Sequence, residues 1–462
     1  MVSKEKRHKM LFWLKILVCF IAVIFVSSIL FLRLESKNPN IGLKLDSTIL
    51  GKVQEIEITV SDIRSGIRKI QIVLTQEGKK SFLLEKDYPA QGLLRISAMK
   101  KARFKIKLEP SEHGISDGKA VLSIVASDYS WRRWGQGNQV ALERQVLFDT
   151  QPPEVVVISR QHNVNQGGAG LVIYTLSETC PSNGVRVGEN FFPGYAGYFE
   201  DTNIFLAFFG LTHEQGPGTS LSVQATDQAG NSVQAGFYHH INKRRFRKDN
   251  INLSDNFLKM KMPEFDNLLR LDPAVPVIER FLKVNKDLRH SNYEDIMAIT
   301  RHTDAKLYWR GEFMRFPNSA NRAGYADYRT YKYKGREIDH QTHLGIDLAS
   351  LAHSPVPAAN NGRIAFAGSI GIYGKTVLID HGFGLFSMYS HLNSFQVQKD
   401  QMVNTGDTIG NSGSTGLAGG DHLHFSIIIQ NIFVNPKEWW DPAWIKNNIS
   451  AKIESVKNSW NE

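Results

Sequence analysis

At 462 residues, with 42% hydrophobic and 22% charged side chains, the chain has the make-up of a folded protein with room for about three domains besides a membrane segment. That composition excludes a disordered or collagen-like polymer, and the formal net charge of +10 favours polyanionic surroundings. Of two cysteines, Cys19 lies in an apolar N-terminal run and only Cys180 lies beyond it, so an intramolecular disulfide is excluded and stability rests on packed cores.

Lys4, Lys6, Arg7 and Lys9 precede a charge-free run from Ile16 to Leu32, with Lys15 placed to snorkel at its edge. The basic flank predicts a cytoplasmic tail and transmembrane signal-anchor over residues 1–35, single-pass in the inner membrane, with the rest exported to the periplasm. Small residues at Val26-Ser27-Ser28 leave a cleaved signal peptide as the alternative, and Cys19 lacks the small residue that a lipobox requires before it. Export removes nucleic acid, the usual partner of such charge.

After the anchor, Glu55 to Val60 and Arg68 to Leu74 alternate with the period of half-buried strands. Val125-Ala126-Ser127-Asp128 recurs as Gln224-Ala225-Thr226-Asp227, and a Gly-Asn pair follows each, at Gly137-Asn138 and Gly230-Asn231. The repeat predicts two β-sandwich domains, 41–150 and 151–242. The junction Asp149-Thr150-Gln151-Pro152-Pro153 and the turn Asp227-Gln228-Ala229-Gly230-Asn231 resemble those of bacterial immunoglobulin-like modules. Such modules serve as spacers from the membrane, with an envelope protein as a possible partner. The basic cluster Lys243 to Lys248 reads as a solvated linker opening a helical connector, 243–305. In the connector, helix starts are expected at Asp272-Pro273 and at the capping box Ser291-Asn292-Tyr293-Glu294.

From Tyr308 to Gln341 aromatic residues are frequent, among them Trp309, Phe313, Phe316, Tyr325 and Tyr331. Two readings stand: a hairpin that completes the next domain, or a movable cover kept mobile by Arg322, Arg329, Lys332, Lys334 and Arg336.

Next come His343-Leu344-Gly345-Ile346-Asp347, Tyr389-Ser390-His391-Leu392 and the glycine-rich stretch from Gly413 that ends in Asp421-His422-Leu423-His424. Strand residues two apart share a face at roughly 6–7 Å, so His422 and His424 can address one cleft. Two imidazoles and a carboxylate form the incomplete ligand set of a catalytic zinc, open at one position. Four residues of ideal strand would hold His343 and Asp347 roughly 13 Å apart, and Gly345 is expected to supply the kink that brings them together. Asp339-His340, His302 and His353 read as surface residues, Asp421 as a turn residue, and His381 as structural, since no Gly-x-Ser-x-Gly elbow accompanies Asp380-His381-Gly382.

These segments, with Pro357-Ala358-Ala359, Tyr373-Gly374, Ile379 to Gly382, Val403 to Gly410 and Val434-Asn435-Pro436, resemble the lysostaphin-type (LytM-like) zinc endopeptidases that cut peptide bonds of bacterial peptidoglycan. The resemblance implies an antiparallel β-sheet peptidase domain over 306–445, followed by a tail, 446–462, in a mainly β chain. It implies Zn2+ bound by His343, Asp347 and His424, with His391 and His422 catalytic and their two roles interchangeable. The implied activity is hydrolysis of peptidoglycan peptide cross-links. The alternative is a silent relative that activates another cell-wall hydrolase, a form that characteristically lacks metal ligands.

Overall fold

The structure, a computed structural model, describes residues 4–91 and 97–460; the first three residues of the expected cytoplasmic tail and the last two of the C-terminal tail lie outside it. The chain is mainly β and divides into two compact units, residues 1–152 with 228–231, and 153–227 with 232–462.

In the first unit the helix Lys4–Arg33 contains a stretch, Arg7–Phe31, long and apolar enough to cross a membrane, a property that a signal sequence shares. It is followed by two antiparallel-rich sheets. One joins Asn40–Lys44, Gln54–Ser61 and Lys101–Leu108; the other is built on Gln139–Phe148, Gly118–Asp128, Ile67–Gln76 and Lys79–Asp87. Alternation does the folding work. Ile56, Ile58 and Val60 of one sheet meet Ile70, Ile72, Leu74, Leu122 and Ile124 of the other in one core, while the residues between them face out. Asp128, at the end of its strand, accepts from the Asn138 backbone N–H at 2.7 Å and from the Asn138 side chain at 2.8 Å, which is the physical content of the Asp and Gly-Asn signals in the first copy of the repeat.

The second unit begins with two further sheets. Ile204–Gly210, Ala169–Leu176 and Val155–Val157 form one, and Asn190–Pro193, Ser182–Val187, Leu221–Thr226 and Ser232–Gly236 form the other. These strands are followed by Lys248–Leu253, which pairs in parallel with Tyr328–Tyr333, itself hairpinned to Arg336–Thr342. An eight-stranded sheet completes the unit, with Ala320–Ala323, Ile346–Ala349, Leu423–Ile429, Leu385–Leu392, Gly374–Asp380 and Gly362–Ile370 adjacent in that order. Leu385–Leu392 and Leu423–Ile429 are buried along their whole length.

Three expectations change here. The segment read as a helical connector opens with the strand Lys248–Leu253 before its helices. Asp272 forms a turn, bonding Ala274 N at 2.9 Å, and the helix starts at Val277. It runs through a wide turn at Val284–Leu288 into Arg289–Thr300, so Ser291 and Glu294 lie inside a helix rather than at its start. Val284, Leu288, Asn292 and Ile296 line one buried face across the supposed break, and tertiary packing overrides the local cap. The expected C-terminal tail is helical over Ala451–Trp460, with Ile449, Ile453 and Val456 in the core.

One hydrophobic cluster runs from Val164 to Val456, so the sheets of 155–236 share their core with the C-terminal sheet instead of forming a separate spacer. Trp309 and Trp439 pack against Phe208, and Tyr195 stacks on Phe383 at 4.7 Å. At this junction the buried Glu438 carboxylate accepts from Ala169 N at 2.8 Å and Asn165 Nδ2 at 2.6 Å. A Cβ on Gly168 would lie 2.4 Å from that carboxylate, so only glycine admits it. Burial raises the Glu438 pKa to about 7 against these stabilising bonds. An acid whose folded pKa is raised is ionised first in the unfolded chain, so native stability falls as pH climbs from about 4.5 to about 7 and then levels. The stability of Glu438→Gln relative to the parent should therefore improve between pH 5 and pH 8 by up to about 3 kcal/mol. Denaturant unfolding followed by tryptophan fluorescence measures this, and a difference that stays flat across the range refutes it.

Candidate metal centre

Three neighbouring strands build the site. Asp347 on Ile346–Ala349 lies directly across from His424 on Leu423–Ile429, and His424 in turn lies across from Ser390, next to His391 on Leu385–Leu392. His343 arrives from the break between Arg336–Thr342 and Ile346–Ala349. Gly345 stands in that break for a reason other than a left-handed backbone: a Cβ there would lie 2.5 Å from His424 Nε2 and from Ser426 Oγ. The glycine lets the chain press against the ring opposite.

His343 Nε2, Asp347 Oδ1 and His424 Nδ1 are the corners of a nearly equilateral triangle, with sides of 2.9, 2.9 and 3.0 Å. Donors on a tetrahedral zinc at roughly 2.0–2.1 Å stand about 3.3 Å apart, so this triangle is of the size one such ion would span with little adjustment. All three residues are buried. His422 Nε2 lies 3.6 Å from the same Asp347 oxygen, and the His391 ring is 4.8 Å from that of His422 and 5.9 Å from that of His424. All five residues singled out in the sequence therefore meet in one place. His391 holds a φ of 61°, a left-handed conformation uncommon for a side chain of its kind, and it is the strand's penultimate residue that carries it.

The second nitrogen of each imidazole is engaged away from the centre. His343 Nδ1–H donates to Gly324 O, His391 Nδ1–H to Thr415 O and His422 Nδ1–H to Gly420 O, each at 2.8 Å. Ser426 Oγ donates to Leu344 O and so receives the His424 Nε2–H, at 3.1 Å. These acceptors fix four tautomers, each leaving one bare nitrogen facing the centre. Burial also disfavours protonation: it pushes His424 down to about 4, and it holds His391 well below the usual imidazole range with help from His422 and His424. For Asp347 burial acts in the opposite sense, but His343 and His424 outweigh it and keep the carboxyl well below its ordinary value.

On the reading of a movable cover, Arg329 would help to keep it mobile. Instead its guanidinium is packed inside, with NH2 2.8 Å from Asp347 Oδ2. Asp347 is thereby gripped on one oxygen by a cation while the other faces the histidines. The strand that carries Arg329 also places Tyr331 in the wall of the cavity over the site, beside Leu253, Phe257 and Phe281. That cavity holds about 370 Å3. Lys261 Nζ donates to Ser414 O at 2.6 Å, tying the connector helix to the glycine-rich loop before His422. The remaining histidines behave as expected. His381 is buried between Asn361 O at 2.7 Å and Ser387 Oγ at 2.7 Å, His340 and His353 are outside the cluster, and Asp421 clamps a turn by accepting from Ser412 Oγ at 2.7 Å. Arg329, Gly324 O and Ser426 had no sequence signal beyond their presence in the polar or glycine-rich context, because the contacts that give them a role are tertiary.

The family model for peptidase family M23 matches residues 341–436. The DD-carboxypeptidase/endopeptidase Mpg of Neisseria meningitidis serogroup B is 40% identical over 108 residues, 23% of this chain and 25% of that protein. The peptidoglycan DD-endopeptidase ShyA of Vibrio cholerae serotype O1 is 36% identical over 93 residues, 20% of this chain and 22% of that protein. The chain thus spans about a quarter of the length of the curated relatives it matches. Among solved structures, the catalytic domain of lysostaphin from Staphylococcus simulans is 28% identical, covering 27% of this chain and 92% of that one, with a TM-score of 0.23.

If the guanidinium orients Asp347, then Arg329→Gln should lower metal affinity by about 10–100-fold, the usual effect of losing a partner behind a ligand. Chelator competition on the purified protein reads this, and unchanged affinity would make Arg329 a packing residue only.

Proposed function

We propose, from the M23 peptidase domain of the LytM and lysostaphin type that residues 341–436 form, that the protein is a membrane-anchored zinc endopeptidase hydrolysing peptide cross-links of peptidoglycan. In this reading the helix Lys4–Arg33 anchors it in the inner membrane and the catalytic domain stands in the periplasm, with immunoglobulin-like modules at 41–150 and 151–242, a connector at 243–305 and the peptidase domain at 306–445. The observation that carries it is the convergence of His343 Nε2, Asp347 Oδ1 and His424 Nδ1 beside two further imidazoles whose bare nitrogens face the same point.

Zinc, when held by His343, Asp347 and His424, supplies a Lewis acid for the scissile carbonyl and for water. The residues of the chain do the rest. Among the described residues no His-Glu-x-x-His glutamate stands at the site, so a histidine accepts the proton of the attacking water at its bare nitrogen. The second histidine, once its own bare nitrogen has taken up a proton, donates it to the oxygen on which charge develops. His391 and His422 suit these two duties because Thr415 O and Gly420 O hold their far nitrogens and stop the rings from turning. Arg329 keeps Asp347 in its rotamer, and the apolar wall of Leu253, Phe257, Phe281 and Tyr331 limits water around the reacting bond.

Detergent-solubilised full-length protein, assayed for zinc content and for turnover of purified muropeptides, tests the proposal. His343→Ala, Asp347→Ala and His424→Ala should each lose stoichiometric zinc, whereas His391→Ala and His422→Ala should retain it and lose about two to four orders of magnitude in rate. Zinc retained without turnover in the parent would favour the activator reading; zinc retained in any of the first three variants would remove that residue from the ligand set.

A further inference from the structure

Within the first unit, three carboxylates converge where the chain leaves the N-terminal helix. Glu35 stands two residues beyond the helix end at Arg33, Asp62 follows the strand Gln54–Ser61, and Asp128 ends the strand Gly118–Asp128. One oxygen from each lies within 4.8 Å of the other two, and the three residues are only 3%, 5% and 0% exposed. Like charges in so small and dry a space repel strongly unless something positive lies between them.

The hydrogen bonds around the cluster leave it incomplete. Asp128 Oδ1 accepts from Ser130 N at 2.9 Å and Asn138 N at 2.7 Å, and Asp62 Oδ1 accepts from Gly66 N at 2.6 Å. Glu35 Oε2, by contrast, is buried and has no hydrogen-bond partner among the described residues. The Ser65 backbone N–H faces the Glu35 carboxyl, and the Ser65 hydroxyl, on a residue with no exposed surface, is likewise without a partner among the described residues. Lys100 Nζ, the neighbouring ammonium, is engaged by the Arg64 carbonyl. A buried carboxylate oxygen left unsatisfied, and a buried hydroxyl left unsatisfied on the residue whose N–H faces that carboxyl, mark a place where a ligand is missing rather than a place where the fold is finished.

We propose that Glu35, Asp62 and Asp128 form a binding site for a divalent cation of the calcium type. Calcium takes oxygen donors at roughly 2.3–2.6 Å in adaptable geometry, which suits carboxylates arriving from three separate segments. Magnesium demands near-ideal octahedral geometry and keeps most of its waters, which a dry pocket does not accommodate. The cation would join three separate segments. Ser130 Oγ already bonds Glu35 O at 3.1 Å and Asn138 Nδ2 bonds Glu35 O and Lys37 O, each at 3.2 Å, so the exit of the apolar helix is laid along the turn after Asp128. A bound ion converts that lay into a fixed joint. Burial, with Asp62 and Asp128 adding to it, raises the Glu35 pKa to about 7, which identifies the competing occupant: a proton shared between Glu35 and Asp62.

The test uses detergent-solubilised full-length protein with its metal centre filled with zinc. Equilibrium dialysis against radioactive Ca2+ should find one further site per chain, with an affinity of about 0.1–1 mM as in extracellular calcium modules, and 10 mM Ca2+ should raise the unfolding temperature of the first unit by about 5 °C. Glu35→Gln and Asp62→Asn should each weaken Ca2+ binding at least tenfold while zinc content stays unchanged; both remove repulsion, so both are expected to fold in calcium-free buffer. Absence of saturable Ca2+ uptake by the parent up to 10 mM overturns the proposal, whether or not a variant folds. So does uptake that survives both substitutions. A parent whose stability falls between pH 5 and pH 8 identically with and without Ca2+ would assign the site to the shared proton instead.

Discussion

Asp347 Oδ1 is the point on which the C-terminal half of the molecule converges, since two imidazole nitrogens crowd within 3 Å of it and a third lies 3.6 Å away. An oxygen so placed can be held there only if the strand Ile346–Ala349 keeps its register against Leu423–Ile429, because a slip of one residue would turn Asp347 to the other face of the sheet. The features around it follow from that demand. Gly345 yields the space for His424, Arg329 takes the second carboxylate oxygen, and backbone carbonyls take the far side of three rings. Full burial of the two central strands gives the sheet the stiffness on which the register depends.

That stiffness is not confined to the sheet that carries the histidines. The core passes without interruption into the strands of residues 155–236, through Phe208, Trp309 and Trp439 and through the Glu438 carboxylate under Ala169 and Asn165. Lys452, on the C-terminal helix, reaches Leu171 O at 3.0 Å from the other end of the chain. A module expected as a spacer is therefore part of the foundation of the centre, whereas the first sandwich has a core of its own.

What could be read from the sequence, and what could not, divides along the range of the interactions concerned. Strand alternation in Glu55 to Val60, the Asp and Gly-Asn repeat and the His343 to His424 pattern are local or rest on spacing: the first is a strand, Asp128 and Asn138 of the second bond each other, and the third comes together as one cluster. The capping box at Ser291 was equally local and misled, because the buried stripe Val284, Leu288, Asn292 and Ile296 carries the helix straight through it. Arg329 was invisible as a site residue: nothing in a polar hairpin says which of five basic side chains turns inward. The C-terminal helix was missed for a related reason, since the apolar face of Ile449, Ile453 and Val456 has meaning only against the sheet it covers.

The strand Lys248–Leu253 draws these threads into a consequence for anyone who would cut the molecule down. It pairs in parallel with Tyr328–Tyr333, so the backbone that presents Arg329 to Asp347 is itself supported by residues that come before the connector helices. Gly324, whose carbonyl orients His343, and Lys261, which holds the loop before His422, likewise lie upstream of the stretch that the M23 family model matches. An excised piece limited to that stretch would keep all four histidines of the centre and lose much of what aims them. In this chain the portable unit is larger than the recognisable one, and grafting, truncation or domain shuffling has to take its boundary from the packing instead of from the motif.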